Sequence, residues 1–337
     1  MRYRNVARGE PQRRKVISRW GSYHGGTVAS AALGGGRDVH DAFALPMDDF
    51  LFVSQPNWPV GAEPGESESQ FVDRLIAELE RTIETAGPDT IAGFVAEPIS
   101  FSCGFFPPPA GYFDRVREVL DRHGILFLDD EGDLRLWPHR LPLRRRADGP
   151  EARHHDVGQG HDQRLLPGLG HHHRRRALRL AGARAASSAA PSPMPRPLRG
   201  IRSEQRWRWR CCVLSSRTSC WSRCEPRIPT LHRHLQVLAD HPLVSNVRTF
   251  GLAGGVTLTA AKIKGSEGMP ATGGVAMMGA VGKILGRVML DHGLIVRVTG
   301  DNAVIAPPLI IQDTEIEELF RRFHAALDDT AAELART

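Results

Sequence analysis

The sequence predicts an α/β protein: two folded parts separated by a block of foreign composition. Three observations predict it. Strand and helix patterns alternate up to residue 131 at the spacing of parallel βαβ units. A smaller α+β pattern returns from residue 229 to 337. Between them, from Gly132 to Thr230, stand 21 arginines, no lysine and 7 acidic residues, a balance of +14 in a chain whose net charge is +6. The remainder therefore carries about −8, and a break this sharp marks a boundary.

The elements follow in order. Ser67-x-x-Gln70 matches a capping box. It opens a helix with Phe71, Val72, Leu75, Ile76, Leu79 and Ile83 on one face, ended by Gly87-Pro88. Ile91–Val95 is a short apolar run, read as a buried strand that stops at Glu97-Pro98. A second helix is predicted from Tyr112 to His123, with Tyr112, Phe113, Val116, Val119 and Leu120 inward and Gly124 as its stop. Ile125–Leu128 is the next strand, ending at Asp129, Asp130 and Glu131. These acids fall at the carboxyl ends of strands, where open α/β sheets bind ligands.

After the block, His232–Val237 is expected to be helical and Val247–Lys264 to form two strands around a Gly251/Gly254/Gly255 turn. Met277–His292 is expected to be a helix and Leu294–Val298 a strand. Asp313–Leu334 is a closing amphipathic helix, capped by Asp313 or Thr314, with Ile316, Leu319, Phe320, Phe323 and Leu327 on its buried face.

Bulk properties narrow the function. A hydrophobic content of 41% and a charged content of 24% are those of an ordinary globular protein. The apolar runs fall short of a membrane span, and the basic start MRYRNVARGEPQRRK has no apolar stretch of a secretory signal. Five cysteines at irregular spacing make no disulfide framework, so the expected compartment is the cytoplasm. The block invites a metal reading through HDVGQGHDQRLLPGLGHHHRRR (155–176) or through Cys211, Cys212, Cys220 and Cys224. Neither group has the paired spacing of a structural zinc site, and no metal is expected. Its arginines would also suit nucleic-acid binding through phosphates, the alternative function, or a disordered tail.

Several stretches resemble class III pyridoxal-phosphate aminotransferases of the ω-amino-acid and amine:pyruvate type: SYHGGT (22–27), AEPGESE (62–68), GFVAEPI (93–99), PPAGYFDRVREVLDRHGILFLDDE (108–131) and GLIVRVTGDNAVIAPPLII (293–311). The resemblance covers about two thirds of the chain and implies a partial fold-type-I large domain (1–131) and a small C-terminal domain (229–337). It also implies pyridoxal 5′-phosphate as cofactor, an amine or amino acid and a keto acid as substrates, and a homodimer. By the same resemblance Asp130 is the acid beneath the cofactor's pyridine nitrogen, since a protonated ring is the electron sink. Tyr23 covers the ring face, with His24 beside it. Glu97 belongs to the supporting layer, and Arg297 holds a substrate carboxylate. Without the resemblance, Asp130 reads equally as a turn-capping acid, Tyr23 as ordinary core, Glu97 as a loop anchor and Arg297 as a solvated strand arginine.

Two family parts are expected to be missing. The glycine-rich phosphate loop lies upstream of the YHG motif in the family, which places it before Met1, so the chain is expected to be truncated. The Schiff-base lysine lies about thirty residues after the Asp in the family. The only lysines here are Lys15, Lys262, Lys264 and Lys283, so no catalytic residue is assigned. The family pattern breaks immediately after Glu131, which points to a change of reading frame. Codons chosen for GDLRLWPHRL (132–141) and read from their second base spell VICGFGRTG, the family's continuation. The same offset turns VGQGHDQRL (157–165) into WAKGMTSG, with the lysine codon straddling Gln159 and Gly160. From the third base, PMPRPLRGI (193–201) gives HAATFTGH. The block 132–228 is therefore expected to be off-frame and to lack a stable core, and the chain to be inactive.

Overall fold

The structure, a computed structural model, describes residues 1–130, 154–156, 224–261 and 279–336. Its first unit begins with α1 (Arg2–Ala7), then β1 (Lys15–Arg19), the short helices α2 (Val28–Leu33) and α3 (Arg37–Phe43), and β2 (Phe50–Val53). After the one-turn α4 (Trp58–Gly61) come α5 (Glu68–Ala86), β3 (Ile91–Ala96), α6 (Tyr112–Arg122) and β4 (Leu126–Asp129). The strands lie in the order β2-β1-β3-β4, all parallel, with β5 (His154–Asp156) paired beside β4. Every residue of β3 and β4 is buried. That is why these strands read as continuous apolar runs without alternation.

The Ser67 capping box forms in both directions, Ser67 with the backbone of Gln70 and Gln70 with the backbone of Ser67. Helix α5 buries the six apolar residues expected of it, and α6 buries the five expected of it. Both pack on the central strands in one core with Phe94 and Phe127. Elements β1 and β2 escape a sequence reading. Their apolar runs are only a few residues long, and parallel pairing with distant strands, not local pattern, makes them strands.

The second unit is described from Cys224 onward. Cys224 is fully buried, its Sγ 2.8 Å from the carbonyl of Leu309. That thiol is core, which removes it from the zinc reading; Cys211, Cys212, Cys220 and the histidines 171–173 lie outside the described residues. Next come α7 (Ile228–Val237), β6 (Val244–Phe250), β7 (Ala253–Leu258) and α8 (Ala280–Asp291), then β8 (Arg297–Thr299), β9 (Asn302–Ile305) and α9 (Asp313–Leu334). The second sheet is antiparallel in the order β6-β7-β9-β8. Two expectations need correction, and one strand was not expected. The strand placed at Leu294–Val298 is only Arg297–Thr299, because the backbone first has to turn at Gly293 (φ 68°) and then finds a partner only in β9. The strand β9 itself went unread. Helix α9 is capped by Gln312, whose side chain and that of Glu315 form the reciprocal box, rather than by Asp313 or Thr314.

The core of this unit makes a pH prediction. The His234 ring stacks on Phe320 at 5.2 Å, and its Nε2 is buried without a hydrogen bond. Burial lowers its affinity for a proton below the ordinary value of 6.5, as it does for His241. A histidine whose folded affinity is depressed contributes stability above the unfolded value that is lost as pH falls through and below it. Acidification from pH 7 to 5 is therefore expected to destabilise the fold. Urea unfolding of His234→Phe should show a shallower acid loss than the parent chain.

Candidate active site

The carboxyl ends of β1, β3 and β4 converge, and each ends in polar residues that are buried: Ser18 and Arg19, Glu97, and Asp129 and Asp130. Backbone pairing sets this register. Phe94 aligns with Phe127 and Ala96 with Asp129, and the Asp130 amide donates to the Ala96 carbonyl at 2.9 Å. Loop 34–36 folds tightly over the end of β1. A Cβ on Gly35 would stand 2.2 Å from the Arg19 carbonyl oxygen, so only glycine fits that approach.

Asp130 and His24 meet directly. His24 Nδ1 is 2.9 Å from Asp130 Oδ2, with both side chains almost fully buried. Glu97 Oε1 accepts the Tyr23 amide at 3.0 Å and the Ser102 hydroxyl at 3.3 Å. Arg19 Nη2 donates to the Glu97 carbonyl at 2.6 Å. The Tyr23–His24 turn is thus tied to β3 through one residue and to β4 through the other. Tyr23 remains 51% exposed. The core alternative for it is therefore wrong, because its backbone, not its ring, is what the fold anchors.

Cys103 closes one side. Its Sγ lies 3.1 Å from the Gly21 carbonyl, and burial, then the nearby Glu97 charge, push the thiol up to about 12. It is a protonated packing group at neutral pH and not a nucleophile. Arg19 and Arg297 act on it in the opposite direction, so Arg297 reaches this corner electrostatically although its backbone belongs to the second sheet. Arg297 itself is exposed, with Nε 3.4 Å from Thr299 Oγ1.

Four of the five residues singled out from sequence, Tyr23, His24, Glu97 and Asp130, are brought together by direct hydrogen bonds, and Arg297 stands within electrostatic reach. Ser18, Arg19, Ser22, Ser102 and Cys103 were not anticipated. Ser22 opens the SYHGGT motif without being singled out within it; the others sit at the end of strand β1 or on the loop after Pro98, where nothing in the local pattern separates them from ordinary turn residues. Among the described residues no group of three or more acidic, histidine or cysteine side chains is placed to hold a metal.

The buried carboxylate suits a cationic ring nitrogen, and a half-exposed aromatic on the adjoining turn suits a planar ring. Among the described residues no lysine stands beside them as a covalent anchor. Lys15 Nζ donates to the Ala86 carbonyl at 2.9 Å, and Lys283 is exposed on α8. Lys262, Lys264 and the position between Gln159 and Gly160 lie outside the described residues.

A family model for class-III aminotransferases matches residues 1–132. A chloroplastic gamma-aminobutyrate transaminase 3 of Solanum lycopersicum is 30% identical over 97% of this chain, which spans 62% of that relative. A putrescine–pyruvate aminotransferase of Pseudomonas aeruginosa is 28% identical, with 97% of this chain and 69% of the relative covered. Identity reaches 43% over a 129-residue match to vanillin aminotransferase of Capsicum frutescens, which takes in 38% of this chain. Among solved structures, the omega transaminase of Pseudomonas jessenii in complex with PMP superposes with a TM-score of 0.74 at 27% identity, over 98% of this chain and 72% of that one.

Proposed function

We propose that the chain belongs to the class-III aminotransferase family, as a broken copy of an enzyme with a definite parent reaction. The parent reaction is transfer of an amino group from an amine or ω-amino acid to a keto acid, with pyridoxal phosphate. The copy has lost the residue that would carry it. The observation that carries this reading is a coincidence of boundaries: the family match ends at residue 132, and the arginine-rich, lysine-free block begins at Gly132.

Pyridoxal phosphate, when bound, supplies an electron sink for a carbon that loses a proton. The chain's own contribution is the surrounding shell. Asp130 offers a buried carboxylate to the ring nitrogen. Tyr23 lies on the turn where a ring face would need cover. Glu97 holds that turn, and Arg297 stands ready for a substrate carboxylate. The lysine that would move the substrate proton falls, in the shifted reading, between Gln159 and Gly160. The curated relatives named for gamma-aminobutyrate and putrescine support an amine or ω-amino acid as the donor class. A homodimer follows the family's habit. A cytoplasmic location fits Cys103 and Cys224, which form no disulfide; no helix among the described residues is long and apolar enough to cross a membrane.

The purified full chain, given pyridoxal phosphate, 4-aminobutyrate or putrescine, and pyruvate, is expected to show no amine-dependent turnover. It is also expected to take up no cofactor that borohydride fixes to the protein. Turnover with a fixed cofactor would overturn the broken-copy reading. Sequencing the DNA around codons 131 and 226 tests its cause: continuous coding with no insertion or deletion relative to relatives removes the frameshift account.

A further inference from the structure

The polar chain behind Asp130 has a direction, and the direction places a proton. Ser22 Oγ lies 2.7 Å from the carbonyl oxygen of Arg19. A carbonyl only accepts, so the single hydroxyl proton of Ser22 points there; two oxygens that close with no proton between them would repel. Ser22 Oγ must then accept from Ser18 Oγ, 3.1 Å away. That uses the only proton Ser18 has. On its other side, also at 3.1 Å, stands His24 Nε2. With no proton left to give, Ser18 can only accept, so Nε2 is the donor. The other ring nitrogen, Nδ1, faces Asp130 Oδ2 at 2.9 Å. All four side chains are buried, so bulk water does not rearrange the sequence of donors.

We propose that His24 is held as an imidazolium, protonated on both nitrogens, which donates from Nδ1 to Asp130 and from Nε2 into a one-way hydrogen-bond chain through Ser18 and Ser22 to the Arg19 carbonyl. A buried carboxylate–imidazolium pair, not a lone carboxylate, then stands at the end of β4. The Nε2 proton follows from the chain of acceptors. The Nδ1 proton follows from its two claimants: imidazole is the stronger base in water, and the 2.9 Å contact has the length of a charge-assisted bond. Burying such a pair is costly unless its donors find acceptors, and Ser18 supplies one to Nε2. The pair fixes the carboxylate's orientation. His24 is thus a positioning residue, acting through Asp130. The proton assignment rests on hydrogen bonds alone; its bearing on a cofactor ring rests on the function proposed above.

The test uses the full chain, labelled with ¹⁵N at histidine and without added cofactor, read by long-range ¹H–¹⁵N correlation at neutral pH. His24 is assigned by the signal lost in His24→Gln. Both of its nitrogens are expected to carry protons; an unprotonated nitrogen at either position overturns the proposal. Ser22→Ala frees the Ser18 proton to turn towards Nε2, so this variant is expected to lose the Nε2 proton, and Ser22→Thr, which keeps the hydroxyl, to restore it. A Ser22→Ala signal identical to the parent's would overturn the direction of the chain. A doubly protonated His24 upholds the proton assignment whether or not the chain takes up pyridoxal phosphate, so this test stands apart from that of the proposed function.

Discussion

Replacing Arg248 by methionine is expected to cost the folded protein about 2–6 kcal/mol, because it leaves two buried carbonyls without donors at about 1–3 kcal/mol each. Arg248 projects from β6 into the seam between the two units. Its Nε donates to the Phe105 carbonyl at 3.1 Å and its Nη2 to the Gly104 carbonyl at 2.9 Å. Its Nη1 reaches Thr257 Oγ1 at 2.6 Å and Asn246 Oδ1 at 2.7 Å, and the guanidinium lies 3.9 Å from the centre of the Phe106 ring. Burial pulls its pKa down to about 9, which still leaves it charged at neutral pH. Gly104 is at φ 119°, and a Cβ there would come within 2.5 Å of Asn302, so the loop is pressed on the second sheet as closely as backbone allows. A change in the urea midpoint measures the cost. The same variant should expose Cys103, one residue along that loop, to a thiol reagent, as read by peptide mapping. Arg248→Lys keeps the charge but loses the planar fork, and it should fall between parent and methionine. If Arg248→Met is as stable as the parent with Cys103 still protected, the seam is held by something else.

Phe320→Ala is expected to cost about 3–5 kcal/mol, the range for deleting a fully buried aromatic ring. Phe320 is 1% exposed on α9 and belongs to the same core as Leu235, Leu285 and Phe323. Its ring is one wall of the site that buries His234. The variant should therefore also relieve the burial that depresses proton binding at His234. Its loss of stability from pH 7 to 5 should be smaller than the parent's, as in His234→Phe. Urea unfolding at both pH values measures the two effects together. A shift of less than about 1 kcal/mol would place the ring outside the cooperative core.

The two helices that line the first core, α5 and α6, were legible residue by residue. Their inward faces repeat at the helical period, and Ser67 with Gln70 marks a start that local hydrogen bonds alone determine. The buried strands β3 and β4 were legible as apolar runs between breakers, and the acids that end them as candidate site residues. The short strands β1, β2 and β9 were not, nor was the late start of β8. Their residues become strands only where distant neighbours offer backbone partners, as Val16 does opposite both Phe50 and Gly93.

By itself the sequence carried the resemblance to class-III aminotransferases, the alternation of strands and helices, the break after Glu131 and the absence of a lysine near Asp130. Each of these is written in local order and residue identity. Only the tertiary structure decided that His24 pairs with Asp130, that Glu97 anchors the Tyr23 turn, that Arg248 clamps the loop beyond Pro98 and that Ser18 and Ser22 give the buried dyad its direction. These are meetings between residues up to 144 positions apart. Hydrogen-bond polarity exists only once donor and acceptor are within about 3 Å of each other, a distance that no stretch of sequence encodes.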